Sequence, residues 1–242
     1  MSKPMISVAG IRGIVGDSLR VEEFFRYALA FATLVEGGKV VVGGDTRMSR
    51  EMMRRMAFAA LESAGCEIID LGLVPTPTVG MMILELKAAG GIAITASHNP
   101  PEWNAYKFFG PHGSFLGEEE KDKLLSIAET GAFRRASVRE LGTVIRKDDA
   151  IDLHVARVVE AVQTARTSLV FTNTRSQAEL WHQALAAVWQ GDASAIALHH
   201  GSLDPKLRAA TEAGLRDGSL RCVVATSSLD LGVDFPEVDR VF

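Results

Sequence analysis

The residues best placed to do chemistry lie in one polar segment of the first half of the chain. Its sequence is Thr95-Ala-Ser-His-Asn-Pro-Pro-Glu-Trp-Asn-Ala-Tyr-Lys107, called the Ser97 loop below. Ser97 can act as a nucleophile, His98 as an acid or base, and Lys107 as a charge that stabilises a phosphoryl group. Each also has a purely structural explanation, as a turn residue, a hydrogen-bonding loop residue and a solvated charge.

The elements around the Ser97 loop predict where it lies in the fold. Apolar residues at helical spacing alternate with short apolar runs along the chain, which is typical of an α/β architecture. We predict a buried strand over 91–95, directly before Ser97, and another strand over 106–109. Open α/β sheets bind ligands at the carboxyl ends of their strands, so the loop has the position of a binding site.

The same patterns predict the other elements of residues 1–162. Pro75-Thr-Pro77 predicts a turn that opens a helix, and Gly131 ends another. Residues 133–150 are rich in charge and poor in apolar periodicity, so we predict a surface connection there. The predicted helices and strands are helices over 21–32, 52–61, 80–88, 118–128 and 151–162, and strands over 39–42 and 66–71.

A second α/β unit is predicted after a junction at 163–167. Ser176 with Glu179 predicts a capping box, and Asp204 before Pro205 predicts a helix N-cap. The chain ends within a further predicted strand. The elements predicted for this unit are strands over 168–172, 195–199 and 220–225, and helices over 177–188 and 205–215.

The first half resembles domain 1 of the α-D-phosphohexomutases, the family of phosphoglucomutase, phosphomannomutase and phosphoglucosamine mutase. The Ser97 loop is similar to the phosphoserine loop of this family. Residues 6–16, 42–49 and 75–77 are similar to three other family segments, in the same order. The resemblance covers about residues 4–162 and implies a three-layer α/β domain with a mixed sheet.

In this family the serine is phosphorylated, passes its phosphate to a bound sugar phosphate, and takes back the other phosphate of the bisphosphate. The resemblance implies that Ser97 is the phosphoryl donor and that His98 and Lys107 assist proton transfer and stabilise charge. It implies that Arg12 holds the Ser97 loop. A phosphoserine carries a charge of about −2 and needs a guanidinium or ammonium group nearby.

The resemblance also implies that Arg47 and Asn99 bind substrate or phosphate. Two other positions depart from the family pattern. Ala105 replaces a usual glycine, and an alanine at positive φ costs about 1 kcal/mol. Gly44 replaces a usual arginine before Asp45, which removes a positive charge.

Mg²⁺ is the cofactor that the resemblance implies, held in the family by three aspartates of the second domain beside the phosphoserine. We find no such aspartate cluster in this sequence, nor the family's sugar-selecting loop or C-terminal phosphate loop. A hard cation needs several oxygen ligands. We therefore expect Ser97 to contribute to a metal site only through its phosphate, and Mg²⁺ to be bound poorly.

From about residue 167, the chain resembles the second RecA-like lobe of a superfamily 2 helicase. The most similar group is the large-helicase-related DNA repair helicases. The matching segments are similar to the fourth motif of this group, the following strand end and the fifth motif. They are residues 168–181, 199–204 and 222–235.

This second resemblance implies that Arg175, Thr226 and Ser227 contact the nucleic-acid backbone, and that Asp234 approaches the ATP ribose. ATP hydrolysis needs a glycine-rich phosphate loop with a lysine and an acidic pair that binds Mg²⁺. Neither pattern occurs in the sequence. We expect no complete ATP site and no ATPase activity.

Composition excludes several classes of function. The chain has 26 Lys and Arg residues against 30 Asp and Glu residues, a net charge of −4. This balance argues against a general binder of nucleic acid or anionic membranes. The apolar stretches are far shorter than the roughly 20 residues of a spanning helix. We expect a cytoplasmic protein with no membrane partner, in which Cys66 and Cys222 are buried, reduced thiols.

The fold prediction is two three-layer α/β units: a phosphohexomutase domain at 1–162 and part of a helicase lobe at 163–242 with a truncated parallel sheet. The favoured function is that of a mutase-derived phosphotransferase fragment that acts on hexose 1- or 6-phosphates through Ser97, with weak or no turnover alone. The alternatives are a module that binds single-stranded DNA weakly and an inactive folded chimera.

Overall fold

The computed structural model describes residues 3–7, 10–172, 174–227, 229 and 238–241. The chain divides into two compact units, Met1–His154 and Val155–Phe242. Both units are α/β, as predicted. The division lies within a helix, and the predicted boundary between residues 162 and 163 stays a prediction.

The described residues of the first unit form a seven-stranded mixed sheet in the order β1-β2-β6-β5-β3-β4-β7. Strands β5, β3, β4 and β7 run parallel, and β1, β2 and β6 pair antiparallel. The strands are β1 (Met5–Ser7), β2 (Gly10–Ile14), β3 (Val40–Gly44), β4 (Glu67–Leu73), β5 (Gly90–Ile94), β6 (Trp103–Phe109) and β7 (Thr143–Arg146). The helices are α1 (Val21–Leu34), α2 (Arg50–Ser63), α3 (Thr76–Glu85) and α4 (Glu118–Thr130), and α5 (Ala150–Thr164) contains the division between the two units.

Helices cover both faces of this sheet. Strand β3 shows the arrangement, because successive side chains of a strand point to opposite faces. Val40 and Val42 pack in the core with α1, α2 and α4, whereas Val41 packs in a second core with α3. The helical face predicted over 21–32 is buried in α1 except at Val21, which is 47% exposed, and at Phe25, which is half-buried.

Three strands of the sheet, β1, β2 and β7, are not among the predicted ones. Residues 133–150 were expected to form a surface connection, and this is wrong for β7, which pairs in parallel with β4. All four residues of β7 are exposed. An edge strand of this kind is held by main-chain hydrogen bonds and leaves no apolar pattern in the sequence.

In the second unit, the described residues form a parallel sheet in the order β11-β8-β10-β9. Apolar clusters lie on both of its faces. The fold is therefore the parallel α/β arrangement expected of a RecA-like unit. Its elements are β8 (Ser168–Phe171), α6 (Arg175–Val188), a short 3-10 helix (Ala193–Ala195), β9 (Ile196–His199), α7 (Pro205–Arg216), β10 (Cys222–Ala225) and β11 (Arg240–Val241).

The two predicted helix starts of this unit differ in outcome. Asp204 caps α7, with its side chain accepting a hydrogen bond from a backbone N–H at 2.8 Å. The capping box at Ser176 is wrong. Thr174 is the N-cap of α6, and its hydroxyl accepts from the backbone N–H of Gln177 at 3.2 Å. Threonine and serine hydroxyls have the same capping chemistry, and α6 begins directly after Thr174 instead of after Ser176.

Both cysteines are buried free thiols, as predicted, and burial raises the pKa of Cys66 and of Cys222 to about 12. Among the described helices, none combines the length and the apolar composition required to cross a membrane.

Candidate functional site

The Ser97 loop leaves the sheet at the carboxyl end of β5 and returns into β6, as the sequence predicts. The backbone N–H of Thr95 donates to the carbonyl of Ala105 at 3.1 Å, which closes the base of the loop. A tight turn follows, in which the N–H of Asn99 donates to the carbonyl of Ala96 at 3.1 Å. Ser97 and His98 are exposed. The serine hydroxyl is therefore open to a ligand.

A cavity of about 200 Å³ lies against this loop. Arg12 on β2 lies opposite Ala105 on β6, and Lys107 follows two residues later, so the three side chains share one face of the sheet. This register brings two cationic side chains beside Ser97. The described residues that line the cavity are Ser7, Gly10, Arg12, Thr95, Ala96, Ser97, His98, Asn99, Ala105 and Lys107.

The cavity wall is electrostatically suited to an anion. No Asp or Glu belongs to the described residues that line it. Burial lowers the pKa of Lys107, and the nearby Arg12 lowers it further, against the opposing effect of Asp45. The Nε of Arg12 is buried and has no hydrogen-bond partner among the described residues. A bound anion would relieve both the repulsion and the missing hydrogen bond.

Arg47 holds the Ser97 loop. Its Nη1 donates to the carbonyls of Pro100 at 2.7 Å and Trp103 at 2.9 Å. Its Nη2 donates to the carbonyls of Ser97 at 2.8 Å and Asn99 at 2.6 Å. Four carbonyls of one loop are therefore gathered around a single guanidinium, whose side chain is 12% exposed.

These contacts concern two expected assignments, in which Arg12 holds the loop and Arg47 binds substrate or phosphate. Both roles stay predictions. In the structure Arg47 makes the loop contacts and Arg12 lines the cavity. Asn99 also lines the cavity, next to Ser97 and His98. The structure thus brings Ser97, His98, Lys107 and Arg12 around one space, with Arg47 behind the loop.

The backbone of Ser97 is in the left-handed region, with φ of 55°. This conformation costs a residue other than glycine roughly 1 kcal/mol or more. Serine gives no signal of it in the sequence. Ala105, in contrast, is not among the described residues with positive φ, so the cost considered for an alanine at that position does not arise.

The other departure from the family pattern, Gly44, is explained by its surroundings. A Cβ at this position would lie 2.8 Å from the carbonyl oxygen of Ile94 and 3.1 Å from Cδ of Arg50. The side chain of Arg50 therefore passes over Gly44. A larger residue at position 44 would have to displace it.

The residues at the site do not fit a Mg²⁺ ion. Within the described part of the chain, no group of three or more His, Cys, Asp or Glu side chains is arranged to hold a metal. Asp45 is already engaged, since Oδ2 accepts from the Thr95 hydroxyl at 2.5 Å and lies 3.3 Å from Nε of Arg47.

The second unit brings three of its four predicted residues to one edge. Arg175 begins α6, just after β8, and Thr226 follows β10, with its N–H donating to the carbonyl of His199 at 3.1 Å. Ser227 is exposed in the next turn. Because β8, β9 and β10 are parallel, their carboxyl ends meet at this edge. Asp234 lies outside the described residues.

Comparison with known proteins assigns the first unit to a family. Residues 5–135, more than half of the chain, match the model described as phosphoglucomutase/phosphomannomutase, alpha/beta/alpha domain I. The chain belongs to the phosphoglucomutase/phosphomannomutase family. Residues 151–242 match the model of the helicase conserved C-terminal domain. Both resemblances read from the sequence are confirmed.

Individual relatives of the family match only a part of their own length. A probable phosphoglucosamine mutase of Pyrococcus abyssi is 41% identical over 134 residues, which cover 55% of this chain and 30% of the relative. A phosphoglucomutase/phosphomannomutase of Thermococcus kodakarensis is 35% identical over 181 residues, or 71% of this chain and 40% of the relative. The chain thus spans 30–40% of the length of these two relatives.

A solved structure shows the same fold. It is a phosphoglucomutase/phosphomannomutase family protein from Burkholderia thailandensis, 22% identical, with a TM-score of 0.56. The match covers 96% of this chain and 46% of that chain.

Proposed function

We propose that the first unit accepts a phosphoryl group on Ser97 from a hexose bisphosphate and returns it to a hexose phosphate, the half-reactions of a phosphohexomutase. The observation that supports this most is the exposed Ser97 hydroxyl beside a cavity that contains Arg12 and Lys107 and, among its described lining residues, no carboxylate. A dianionic phosphate ester is the ligand that such a wall favours.

In this proposal each step is carried out by residues of this chain. Oγ of Ser97 attacks phosphorus as the bond from phosphorus to the sugar oxygen breaks. The serine proton passes to a base, for which His98 is the exposed neighbour, and the sugar oxygen takes up a proton as it leaves. Arg12 and Lys107 stabilise the charge on the transferred group. Sugar selection and turnover need surfaces that lie outside these residues, so we expect turnover by this chain alone to be weak or absent.

The experiment uses the full chain incubated with glucose 1,6-bisphosphate and Mg²⁺, followed by intact-mass measurement. We expect a mass gain of one phosphoryl group. Ser97→Ala should abolish the gain, and Ser126→Ala, at an exposed serine on α4, should retain it. Absence of the adduct in the unsubstituted chain would refute the proposal.

The second candidate function is weak binding of single-stranded DNA by the second unit. It is supported by Arg175, Thr226 and the exposed Ser227 at one sheet edge. Nε of Arg175 lies 3.5 Å from Oε1 of Glu179. A phosphate must compete with this carboxylate for Arg175, so the affinity should be low.

Fluorescence anisotropy of a labelled oligothymidylate tests this candidate. Binding should weaken as salt rises, because phosphate contacts release counterions. Arg175→Ala should weaken it further, and Arg216→Ala, in the last turn of α7, should not. A signal that is absent or independent of salt argues against DNA binding. Failure of both assays would leave the third alternative, a folded chain without activity.

A further inference from the structure

Both main-chain polar groups of Ser97 are held by side chains. Its N–H donates to the hydroxyl of Thr95 at 3.0 Å. Its carbonyl accepts from Nη2 of Arg47 at 2.8 Å. The peptide units on the two sides of this residue are therefore fixed independently of its own side chain.

Asp45 connects these two contacts. Oδ2 accepts from the Thr95 hydroxyl at 2.5 Å and lies 3.3 Å from Nε of Arg47, and Oδ1 accepts from the N–H of Arg47 at 3.0 Å. The N–H of Asp45 donates to the carbonyl of Ile94 at 3.1 Å. Asp45, Arg47 and Thr95, called the Ser97 clamp, thus form a closed set of contacts across the ends of β3 and β5.

The conformation of Ser97 explains why such a set is needed. A free serine avoids positive φ, and its φ here is 55°. Hydrogen bonds from a guanidinium are about twice as strong as neutral ones, and this guanidinium is mostly buried. The clamp can therefore hold Ser97 in the left-handed conformation, which the loop would not keep without these contacts.

We propose that the Ser97 clamp positions Ser97 for phosphoryl transfer by holding it in the left-handed conformation. The proposal rests on the function proposed for Ser97. In this account Arg47 is a positioning residue: it acts through the loop and makes no contact with the transferred phosphate. Its loss slows phosphorylation and leaves the affinity for the bisphosphate unchanged.

The first test needs no activity. Amide exchange of β3 is compared between the Ser97→Gly and Ser97→Ala proteins as full chains, under conditions where the rate reports the opening equilibrium. Because glycine accepts positive φ freely, exchange should be about fivefold slower with Ser97→Gly. In an Arg47→Ala background the two exchange rates should become about equal, or their order should reverse. Without Arg47 the loop is released, and residue 97 no longer has to adopt positive φ.

Two further variants keep this test decisive. Thr95→Val removes the acceptor of the Ser97 N–H at similar volume, and should reduce the ratio even if Arg47→Ala does not fold. Arg55→Ala, at a 71% exposed arginine on α2, should leave the ratio at about fivefold. A ratio that stays unchanged when Arg47 or Thr95 is substituted overturns the proposal.

The second test follows the rate of Ser97 phosphorylation at increasing glucose 1,6-bisphosphate. Arg47→Lys should lower the maximal rate about tenfold or more, with the half-saturating concentration unchanged. Free guanidinium should restore part of the rate to Arg47→Ala, and methylammonium should not. A loss of affinity at full rate contradicts positioning. If the unsubstituted chain forms no adduct, the proposed function fails, and the exchange ratio still decides the clamp.

Discussion

Both units place a hydroxyl side chain shortly after a buried parallel strand, Ser97 in the loop that follows β5 and Thr226 immediately after β10. Their surroundings differ. Ser97 faces Arg12 and Lys107 across a cavity whose described lining residues include no carboxylate. Beside Thr226, the arginine that begins α6 is paired with Glu179 at 3.5 Å.

The histidines of the second unit extend this difference. His199 and His200 are almost fully buried, and each has a glutamate near Nε2, Glu212 at 3.2 Å and Glu179 at 3.5 Å. Carboxylates thus lie within 3.5 Å of Arg175 and of both histidines. A position after a strand therefore does not by itself make an anion site. Two cations in a cavity without a carboxylate among its described lining residues, together with a fixed backbone, distinguish the first unit.

The largest effect on this comparison is expected from Arg12→Gln. Removal of one charged donor from a transition state typically costs about 100-fold in rate. Phosphorylation of Ser97 should fall by roughly that factor, while stability stays equal or rises because a buried donor without a partner is lost. Mass-detected kinetics and thermal unfolding measure the two. Arg55→Gln is the control, and a large loss of stability with Arg12→Gln would contradict the assignment.

Asp70→Asn should lower the stability of the first unit and leave the Ser97 site unchanged. Asp70 is buried and accepts hydrogen bonds from Arg54 at 2.5 Å and Arg146 at 3.0 Å. Breaking a buried ion pair typically costs about 3 kcal/mol. We expect a loss of that order in the free energy of unfolding at pH 7, measured by amide exchange of β4. The ratio of β3 exchange rates between the Ser97→Gly and Ser97→Ala proteins should stay the same in the Asp70→Asn background.

This cost should depend on pH. Burial acts to raise the pKa of Asp70, but the hydrogen bonds from Arg54, Arg146 and the N–H of Gly72 outweigh it and lower the pKa below its usual value. The pKa of Asp70 is about 3.9 in the unfolded chain and lower in the folded protein. The stabilisation is therefore complete above the unfolded pKa and lost as pH falls through the folded pKa. If Asp70→Asn lowered the free energy of unfolding by the same amount at acid pH as at pH 7, this expectation would be contradicted.

The two units should also differ in stability. The first has two extensive cores around a seven-stranded sheet, and the second has smaller clusters around a parallel sheet. We expect amides of Leu169 and Val170 to exchange at least about tenfold faster than those of Val40–Val42. Comparable protection in both strands would show that the second unit is as stable as the first.

The smallest expected effect comes from Lys107→Met. Burial and Arg12 lower the pKa of Lys107, so the folded protein binds fewer protons at this group than the unfolded chain does. The melting temperature of the unsubstituted chain should therefore rise relative to Lys107→Met as pH increases from 7 towards 10. A constant difference over this range would contradict the lowered pKa.

Most helices and strands with a buried face could be predicted from the sequence, although β1 and β2 were not. The predicted elements follow apolar periodicity, and Asp204 before Pro205 marked a true cap. Strand β7 could not be predicted, because its four residues are exposed and its pairing is made by main-chain atoms. The start of α6 was misplaced because Thr174 and Ser176 have the same capping chemistry, and tertiary context selects one.

The members of the site could be predicted, and their arrangement in part. The order of residues in the Ser97 loop identified Ser97, His98 and Lys107. The contacts of Arg47 with the loop could not be foreseen, because they join residues about 50 positions apart in the sequence. A partial signal existed, since Asp45 and Arg47 follow buried β3 as Ser97 follows β5, and the ends of parallel strands meet.

The most direct measurement is site-resolved mass spectrometry of the full chain after incubation with glucose 1,6-bisphosphate. We expect one phosphoryl group on Ser97 and none on Thr226 or Ser227. A chain that stays unmodified at Ser97, or that is labelled equally after both strands, would contradict the claim that Arg12 and Lys107 beside Ser97 make it a phosphoryl acceptor.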